Sequence, residues 1–293
     1  MMKVLITGGS GFIGRNLVEA LSPCYAVAAP ASAELNLLDE TAVRDYLCAH
    51  RFDVIVHTAT VRSNRRSPNP LDMLDRNCRM FFNLARNEGR FGKLIHLGSG
   101  AQYHRGGLPS RVREEYFDTR VPTDPYGFSK YICAKYIERA EHMVELRLFG
   151  VFGKYEAWDV RFISNACCRV LKGLPITLRQ DVIFDYLYAD DLAKIVAWFI
   201  EHEPRQKAYN VCRGQGIALS ELAALVAAIS GRNPRIMIKS PGLAPEYTGD
   251  NSRLLSEMGD YEFRDMRGCI EELYSWYSGH PEIFDIESLQ FDN

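Results

Sequence analysis

The sequence predicts an α/β fold with a doubly wound parallel sheet and a smaller α/β part toward the C-terminus. Short apolar runs alternate with helical patterns through the first 149 residues, as expected for βα repeats that build a parallel sheet. A glycine-rich turn joins the first apolar run to the first helical pattern, and the alternation weakens after Gly153. Together these observations favour a sheet with helices on both faces, followed by a less regular second part.

The first turn carries the strongest functional signal. A buried strand is predicted from Val4 to Ile6, and Gly8, Gly11 and Gly14 follow at three-residue spacing before a helical pattern. Glycine lets so tight a turn approach a phosphate closely, and the N–H groups and dipole of the helix start then attract the anion. In this strand–turn–helix context, the motif favours dinucleotide binding over a turn without a ligand.

Five strands and four helices are predicted in the first half. Asp39 is a suitable N-cap for the second helix, because its carboxylate can accept free N–H groups there. Residues 100–124 are rich in glycine and proline and predict a long irregular loop, which is usually functional inside a compact domain. The strands lie near residues 3–7, 25–29, 53–58, 93–98 and 143–149, and the helices near 12–21, 40–50, 71–89 and 126–142.

The second half is less regular, and the chain is expected to cross between two parts. We assign residues 1–155 to a dinucleotide-binding domain to which 178–203 return, and 156–177 and 204–293 to a substrate-binding part. The elements predicted there are a strand near 176–179 and helices near 160–172, 190–203, 219–230 and 267–278.

Composition argues against several classes of protein. The chain has 293 residues with 35 basic and 37 acidic side chains, so no overall charge attracts nucleic acid. No apolar stretch approaches the roughly 20 residues of a membrane helix, and the N-terminus lacks a secretory pattern. The eight cysteines contain no CxxC pair, and the seven histidines show no metal-ligand spacing. We therefore expect a cytoplasmic protein with reduced thiols and no metal, nucleic-acid or membrane partner.

Three residues predict a site for hydride chemistry. Tyr126 and Lys130 stand four apart at a predicted helix start and share one helical face. A neighbouring ammonium group lowers a phenol pKa from about 10, so Tyr126 can exchange a proton with a hydroxyl or carbonyl while hydride moves to or from a nicotinamide. Lys130 can also hydrogen-bond the nicotinamide ribose. Ser99 ends a predicted strand, where open α/β sheets bind ligands.

With the glycine turn, Ser99 and the Tyr126/Lys130 pair, the chain resembles the extended short-chain dehydrogenase/reductase family of the NAD-dependent epimerase/dehydratase type. More narrowly, it is similar to the nucleotide-sugar epimerases and 4-ketoreductases, and the resemblance covers nearly the whole chain. It implies a Rossmann fold, NADP or NAD, a nucleotide-sugar substrate, a place in polysaccharide biosynthesis and a homodimer packed through the helix at 71–89 and the Tyr126 helix. The resemblance assigns to the cofactor Gly8, Ser10, Gly11, Phe12, Ile13, Gly14, Asp39, Thr58, Ala59, Thr60, Asn77, Leu97, Tyr126, Lys130 and Phe149.

The preference between the two cofactors depends on the end of the second strand. Residues 28–32 there contain neither the acid of NAD-preferring members nor the basic residues of NADP-preferring members. Ser10 and Ser32 can accept a phosphate without repelling it, so we expect a slight preference for NADP.

Departures from the family pattern narrow the chemistry. Gly100 and Ala101 replace the acids of dehydratases, and Ala101 and Arg161 replace the Cys and His of 3,5-epimerising members, so hydride transfer alone is expected. Gly150 replaces a substrate-contacting Asn. Arginines that hold the nucleotide diphosphate are missing, and Arg161 or Arg253 is expected to take over. The basic loop that begins at Arg62 either contacts the substrate or is simply solvated. The predicted substrate residues are thus Arg62, Gly100, Ala101, Gly150, Arg161 and Arg253.

The predicted function is reduction of a 4-keto-6-deoxyhexose nucleotide by NAD(P)H. In this interpretation Ser99 orients the substrate oxygen, Tyr126 is the acid–base and Lys130 is its partner. A nucleotide-sugar 4-epimerase with tightly held NAD uses the same residues and stays open as an alternative. A non-catalytic dinucleotide-binding protein is the third possibility, although it has no chemical need for all three side chains. Residues 34–39 resemble the reductase branch and favour reduction.

Overall fold

The computed structural model describes residues 1–61, 70–104, 106–259 and 261–289. Two short 3-10 helices, Gly100–Tyr103 and Glu114–Tyr116, lie in the predicted irregular loop. The strands are β1 (Lys3–Thr7), β2 (Ala26–Ala28), β3 (Phe52–His57), β4 (Phe91–Ser99), β5 (Met143–Leu148), β6 (Gly150–Phe152), β7 (Ile176–Tyr188), β8 (Ala208–Val211), β9 (Gly216–Ala218) and β10 (Ile236–Tyr247). The helices are α1 (Phe12–Leu21), α2 (Glu40–His50), α3 (Pro70–Ala85), α4 (Pro125–Ile137), α5 (Phe162–Leu171), α6 (Ala189–Glu201), α7 (Leu219–Ser230), α8 (Ser252–Met258), α9 (Met266–Gly279) and α10 (Ile286–Leu289).

The larger sheet has the strand order β2-β1-β3-β4-β5-β8, and every neighbouring pair is parallel. Successive side chains of a strand point to opposite faces, and β1 shows the result. Val4 and Ile6 pack with α1 and α6, whereas Leu5 packs on the opposite face with α2, α3 and α4. Both faces are therefore covered by helices, which confirms the predicted doubly wound fold.

A smaller sheet has the order β10-β7-β6, with β9 antiparallel to β7. Helices α5, α7 and α9 share an apolar core with it, and Cys167 and Cys168 lie fully buried in that core. Burial raises the pKa of both thiols, so they fill space in the core as apolar side chains do.

Several elements differ from the predicted ones. The strand predicted at 176–179 runs on to Tyr188, and β10 was not predicted because prolines and a glycine interrupt its exposed sequence. Helices α3 and α4 end at Ala85 and Ile137, a few residues before the predicted ends.

Three segments lie in a different sheet from the one that the predicted domain boundaries imply. Strand β6 falls within 1–155 but pairs with β7 in the smaller sheet. Strand β8 falls within 204–293 but is the sixth strand of the larger sheet, where its main chain pairs with β5. Residues 178–188 belong to β7 of the smaller sheet, although α6, which follows, packs on the larger one. Within the described part of the chain, no helix is long and apolar enough to span a membrane.

Candidate active site

The glycine turn forms a cradle at the carboxyl end of β1. Gly8 has φ +71°, and its carbonyl oxygen accepts a hydrogen bond from the Gly11 N–H at 3.0 Å. A Cβ at Gly14 would lie 2.1 Å from that same oxygen, so only glycine lets α1 begin so close to the turn. No side chain caps α1 at Gly11, which leaves the helix start available to an anion.

A second wall of the cradle follows β3. A Cβ at Gly8 would lie 2.7 Å from the Ala59 Cα, and the Thr58 hydroxyl donates to the Thr7 carbonyl at 2.6 Å. Asn77 of α3 accepts from the Val61 N–H at 2.7 Å and donates to the Val61 carbonyl at 3.0 Å. Both ends of the Asn77 amide therefore hold this loop in place, so its side chain acts on the loop beside the predicted cofactor position.

The predicted catalytic residues come from β4 and α4. Asp124 caps α4 by accepting from the Gly127 N–H at 2.8 Å, and this places Tyr126 in the first turn, half-buried. A Cβ at Gly127 would lie 2.6 Å from the Ala101 carbonyl oxygen, so the turn after Ser99 and the first turn of α4 pack directly together. The structure thus brings the Ser99 and Tyr126 segments to one place.

Lys130 lies one helical turn beyond Tyr126. Its side chain is buried, and Nζ donates to the Leu97 carbonyl of β4 at 2.7 Å. Burial, together with the charge of Lys130, lowers the pKa of His57 to about 3. The same two causes hold the pKa of His96 well below its usual value. Lys130 therefore faces two neutral histidines whose rings stack 5.4 Å apart within the core.

The Ser99 hydroxyl is oriented by the turn that follows it. The Ala101 N–H donates to Ser99 Oγ at 3.2 Å, in the manner of a helix cap. A hydroxyl carries one donor and two acceptor positions, so this bond leaves the Ser99 proton to be donated elsewhere. A carbonyl oxygen of a substrate is a suitable acceptor.

The predicted substrate residues are placed less uniformly. Beside Ser99, Ala101 is buried, and Gly100 has no room for a side chain because its Cβ would lie 2.7 Å from the Tyr247 hydroxyl and 2.9 Å from a Phe149 ring carbon. Gly150 is the buried first residue of β6, where a Cβ would lie 2.6 Å from the Asp185 carbonyl oxygen.

Two of the charged candidates lie at α5 and α8, in the second half of the chain. Arg161 is exposed just before α5. Arg253 donates to Glu115 and to the Ala208 carbonyl at 3.1 Å, and its Nε lies 3.7 Å from a Glu114 oxygen. Its guanidinium is thus engaged in ion pairs that hold α8, which argues against the prediction that it faces a diphosphate. Arg62 lies outside the described residues.

An aromatic row that the sequence did not predict runs from the 3-10 helix Gly100–Tyr103 to the smaller sheet. Phe149 stacks on Tyr103 with ring centroids 6.4 Å apart, and Tyr247 of β10 lies 5.1 Å from Phe149 and 5.0 Å from Phe184. Tyr247 is separated from Phe149 by almost a hundred residues, and no motif marks it. The row places an apolar wall beside Gly100.

The region expected to hold the cofactor ribose contains small residues. A Cβ at Gly9 would lie 2.7 Å from the Ala29 Cβ, so the end of β2 packs on the glycine turn. The Glu34 carboxylate accepts from the Ala31 N–H at 2.8 Å. Arg15 stacks over the Tyr155 ring at 3.7 Å, and Asp39 caps α2 with its carboxylate at 3.0 Å from the Ala42 N–H.

Of the described residues, no group of three or more metal-ligating side chains is close enough to hold a metal ion.

Comparison with known proteins agrees with this architecture. GDP-L-colitose synthase of Yersinia pseudotuberculosis is 26% identical over 302 residues, covering 94% of this chain and 98% of that protein. The crystal structure of Thermus thermophilus UDP-glucose 4-epimerase with NAD is 25% identical, covers 95% of this chain and 99% of that chain, and has a TM-score of 0.78. GDP-mannoheptose C4 reductase of Campylobacter jejuni with NADP shares the fold with a TM-score of 0.81 at 18% identity, over 94% of this chain and 98% of that one.

The match to a family model covers most of the chain and includes the glycine cradle, Ser99, Tyr126 and Lys130. Residues 4–212 match the NAD dependent epimerase/dehydratase family, and the chain belongs to this family.

Proposed function

We propose that this chain reduces the C4 carbonyl of a nucleotide-activated 4-keto-6-deoxyhexose with NADPH or NADH. The coarser function, NAD(P)-dependent conversion of a nucleotide sugar by an enzyme, follows from membership of the family and the relatives found. The observation that carries the finer proposal is the Ser99 hydroxyl, which is turned into a donor beside the first turn of α4, where Tyr126 lies.

A dinucleotide fits the residues present. The cradle of Gly8 and Gly14, which any Cβ would fill, and the uncapped start of α1 suit a diphosphate. When bound, the nicotinamide supplies the hydride equivalent for the sugar carbon.

The side chains of the site then stabilise and protonate the C4 oxygen of the sugar. Ser99 donates a hydrogen bond to the C4 oxygen, so that negative charge developing there meets a donor already in place. Tyr126 transfers its proton to that oxygen, which completes the alcohol. Lys130 lies one turn away, held by the Leu97 carbonyl, and its charge favours the phenolate that Tyr126 leaves behind.

A tyrosine pair on α4 tests the proposal. Changing Tyr126 to Phe removes the proton donor and is expected to lower kcat by about 10²–10⁴-fold while dinucleotide affinity changes little. Tyr131→Phe on the same helix is the matched control, because its hydroxyl bonds Asp118 at the surface and should leave kcat unchanged. Wild-type turnover in Tyr126→Phe contradicts the mechanism.

The alternative of a 4-epimerase keeps the support of the 25% identical epimerase structure with NAD. The two reactions differ in stoichiometry. A reductase consumes one NAD(P)H per product, whereas an epimerase interconverts its sugars without net change in absorbance at ~340 nm, because its cofactor is recycled. A screen of 4-keto and 4-hydroxy nucleotide sugars that follows absorbance and product identity decides between them. Dinucleotide binding without turnover across the screen would favour the non-catalytic protein instead.

We also propose that NADP is the preferred cofactor. In support, the residues at the end of β2 carry no acid in the chain positions where NAD-preferring members have one, and Ser10 and Ser32 do not repel a phosphate. The Glu34 carboxylate on the Ala31 N–H is the group that opposes it. A lower Kd for NADPH than for NADH, measured by quenching of protein fluorescence, is the expected result, and equal or reversed affinities contradict it.

The assembly and location complete the proposal. Leu74, Phe82, Ile132 and Tyr136 on α3 and α4 leave part of their apolar surface uncovered, as a homodimer interface of these helices requires. Light scattering is expected to give twice the mass of one chain.

All eight cysteines are free thiols, in keeping with a cytoplasmic protein of polysaccharide biosynthesis. In this proposal the larger sheet binds the dinucleotide and the smaller sheet helps bind the sugar.

A further inference from the structure

A buried polar chain lies beneath the Ser99 turn. The Ser99 N–H donates to Gln102 Oε1 at 3.3 Å, and Gln102 Nε2 donates to Glu145 Oε2 of β5 at 2.9 Å. The same Glu145 oxygen accepts from Arg147 Nε at 2.8 Å. Gln102, Glu145 and Arg147 are each no more than 2% exposed. Charged and amide groups so deeply buried are costly unless each is paired, so their presence here calls for a physical reason.

The charge on Glu145 fixes which way the Gln102 amide points. An ionised carboxylate only accepts hydrogen bonds, so it selects the NH₂ end of the amide. The carbonyl end is then the one that faces Ser99, where it accepts the main-chain N–H. Burial lowers the pKa of Arg147, but the neighbouring Glu145 charge and hydrogen bonds more than offset this, so the guanidinium stays charged and forms an ion pair with the Glu145 carboxylate at 2.8 Å.

The backbone of β4 makes room for this arrangement. Gly98 and Ser99 are the residues of β4 that pair with Arg147 and Leu148 of β5, and a Cβ at Gly98 would lie 2.5 Å from Glu145 Oε1. Any other residue at Gly98 would therefore displace the carboxylate from below the turn. The site combines a glycine, a buried acid and a buried amide, one on each of three neighbouring segments.

We infer that Gln102 and Glu145 are positioning residues that set the direction of the Ser99 hydroxyl. Gln102 ties the Ser99 main chain to the end of the 3-10 turn, and the Ala101 N–H within that turn fixes Ser99 Oγ. Glu145 acts one step further away by orienting the Gln102 amide. The inference rests on the proposed role of Ser99 as a donor to the substrate oxygen, and it adds two residues that do not touch the substrate.

A double-mutant cycle tests this on the full chain. Gln102→Leu keeps the volume and removes both hydrogen bonds, and we expect kcat to fall by about 10-fold or more with KM nearly unchanged, because a small misplacement of a catalytic group is costly. In a Ser99→Ala background the same change should have no further effect on kcat, since nothing remains to be positioned. Equal losses in both backgrounds overturn the inference. Glu145→Gln, which still accepts a hydrogen bond, should lose less than Gln102→Leu.

A second measurement separates this inference from the proposed function. Hydrogen exchange of the Ser99 amide, followed by NMR, is expected to be slow in the wild type, because the bond to Gln102 must open before the amide can exchange. In Gln102→Leu that bond is missing, and exchange should accelerate at least about 10-fold. Ser164→Ala is the control, since it removes a buried hydrogen bond to Glu156 in the smaller sheet's core. Ser164→Ala should lower the free energy of unfolding and leave the exchange of the Ser99 amide unchanged. Unchanged Ser99 exchange in Gln102→Leu overturns the positioning role, whereas absence of turnover in the wild type overturns only the reductase assignment.

Discussion

Gly14 offers the sharpest test of the cradle, because its partner is backbone. A Cβ there would lie 2.1 Å from the Gly8 carbonyl oxygen, about 1.3 Å short of the 3.4 Å at which ordinary contact begins. That oxygen already accepts the Gly11 N–H, so the turn cannot yield without losing a hydrogen bond. Overpacking of this kind costs about 1–3 kcal/mol, against a helix-propensity gain of about 0.5–1 kcal/mol. Gly14→Ala should therefore lower the free energy of unfolding by about 1–2 kcal/mol.

The matched control is Gly268→Ala. Gly268 and Gly14 are both the third residue of a helix, but the nearest atom to a Cβ at Gly268 is an Asp265 oxygen at 3.8 Å. This variant should gain about 0.5–1 kcal/mol. Urea unfolding measures both changes, and NADPH fluorescence should show a Kd raised by ~10-fold or more for Gly14→Ala alone. Equal stabilities, or wild-type NADPH affinity in Gly14→Ala, would refute the close approach of α1 to the turn.

Two further predictions concern charged groups. His57 stays neutral in the folded chain down to a pKa of about 3, whereas an unfolded histidine takes up a proton near pH 6.5. Its contribution is complete above pH 6.5 and is lost as the pH falls toward 3. Between pH 6.5 and 4.5 the wild type should lose about 2 kcal/mol more than His57→Gln, and comparing the two by urea unfolding cancels the opposite trend of Asp185, whose pKa is raised to about 6. Parallel curves would show that His57 titrates normally. Arg253→Ala should leave the KM for the nucleotide sugar within about twofold. It should lower the free energy of unfolding by about 1–2 kcal/mol, because Glu114 stays buried without its partner. A tenfold rise in KM would place Arg253 on the substrate.

The first half of the fold could be predicted because its determinants are local. The three glycines, the apolar runs and the Asp124–Pro125 helix start each depend on neighbours within a few residues. Ser99 and Tyr126 could be placed together because Ser99 ends β4 and Tyr126 lies in the first turn of α4, the next long helix, so both lie at the carboxyl edge of the sheet. The order of the strands, β2-β1-β3-β4-β5-β8, was not predicted, because right-handed βα connections fix the hand of each crossover and not the order.

The parts that could not be predicted depend on distant contacts. The Arg253 side chain is engaged by Glu114 and Glu115, almost 140 residues earlier, and no local pattern reveals such a partner. Gln102 and Glu145 read as ordinary polar residues in sequence, and only the pairing of β4 with β5 shows that they meet beneath Ser99. Charge and spacing alone thus identify the groups that carry chemistry more readily than the groups that hold them.

The late strand β8 has a consequence for how the chain is made. Asn210 of β8 accepts from the Tyr103 hydroxyl at 2.6 Å, and that hydroxyl in turn accepts from Arg147 at 2.9 Å, so the polar chain under Ser99 ends on this strand. During synthesis from the N-terminus, β1 to β5 emerge about sixty residues before their sixth partner. The edge of β5 therefore stays uncovered until residue 211 has been made, and a nascent chain that stops earlier presents an open strand edge to chaperones and to other chains. Synthesis of β8, rather than collapse of the first five strands, is therefore the step that lets this edge of the sheet close beside the catalytic turn.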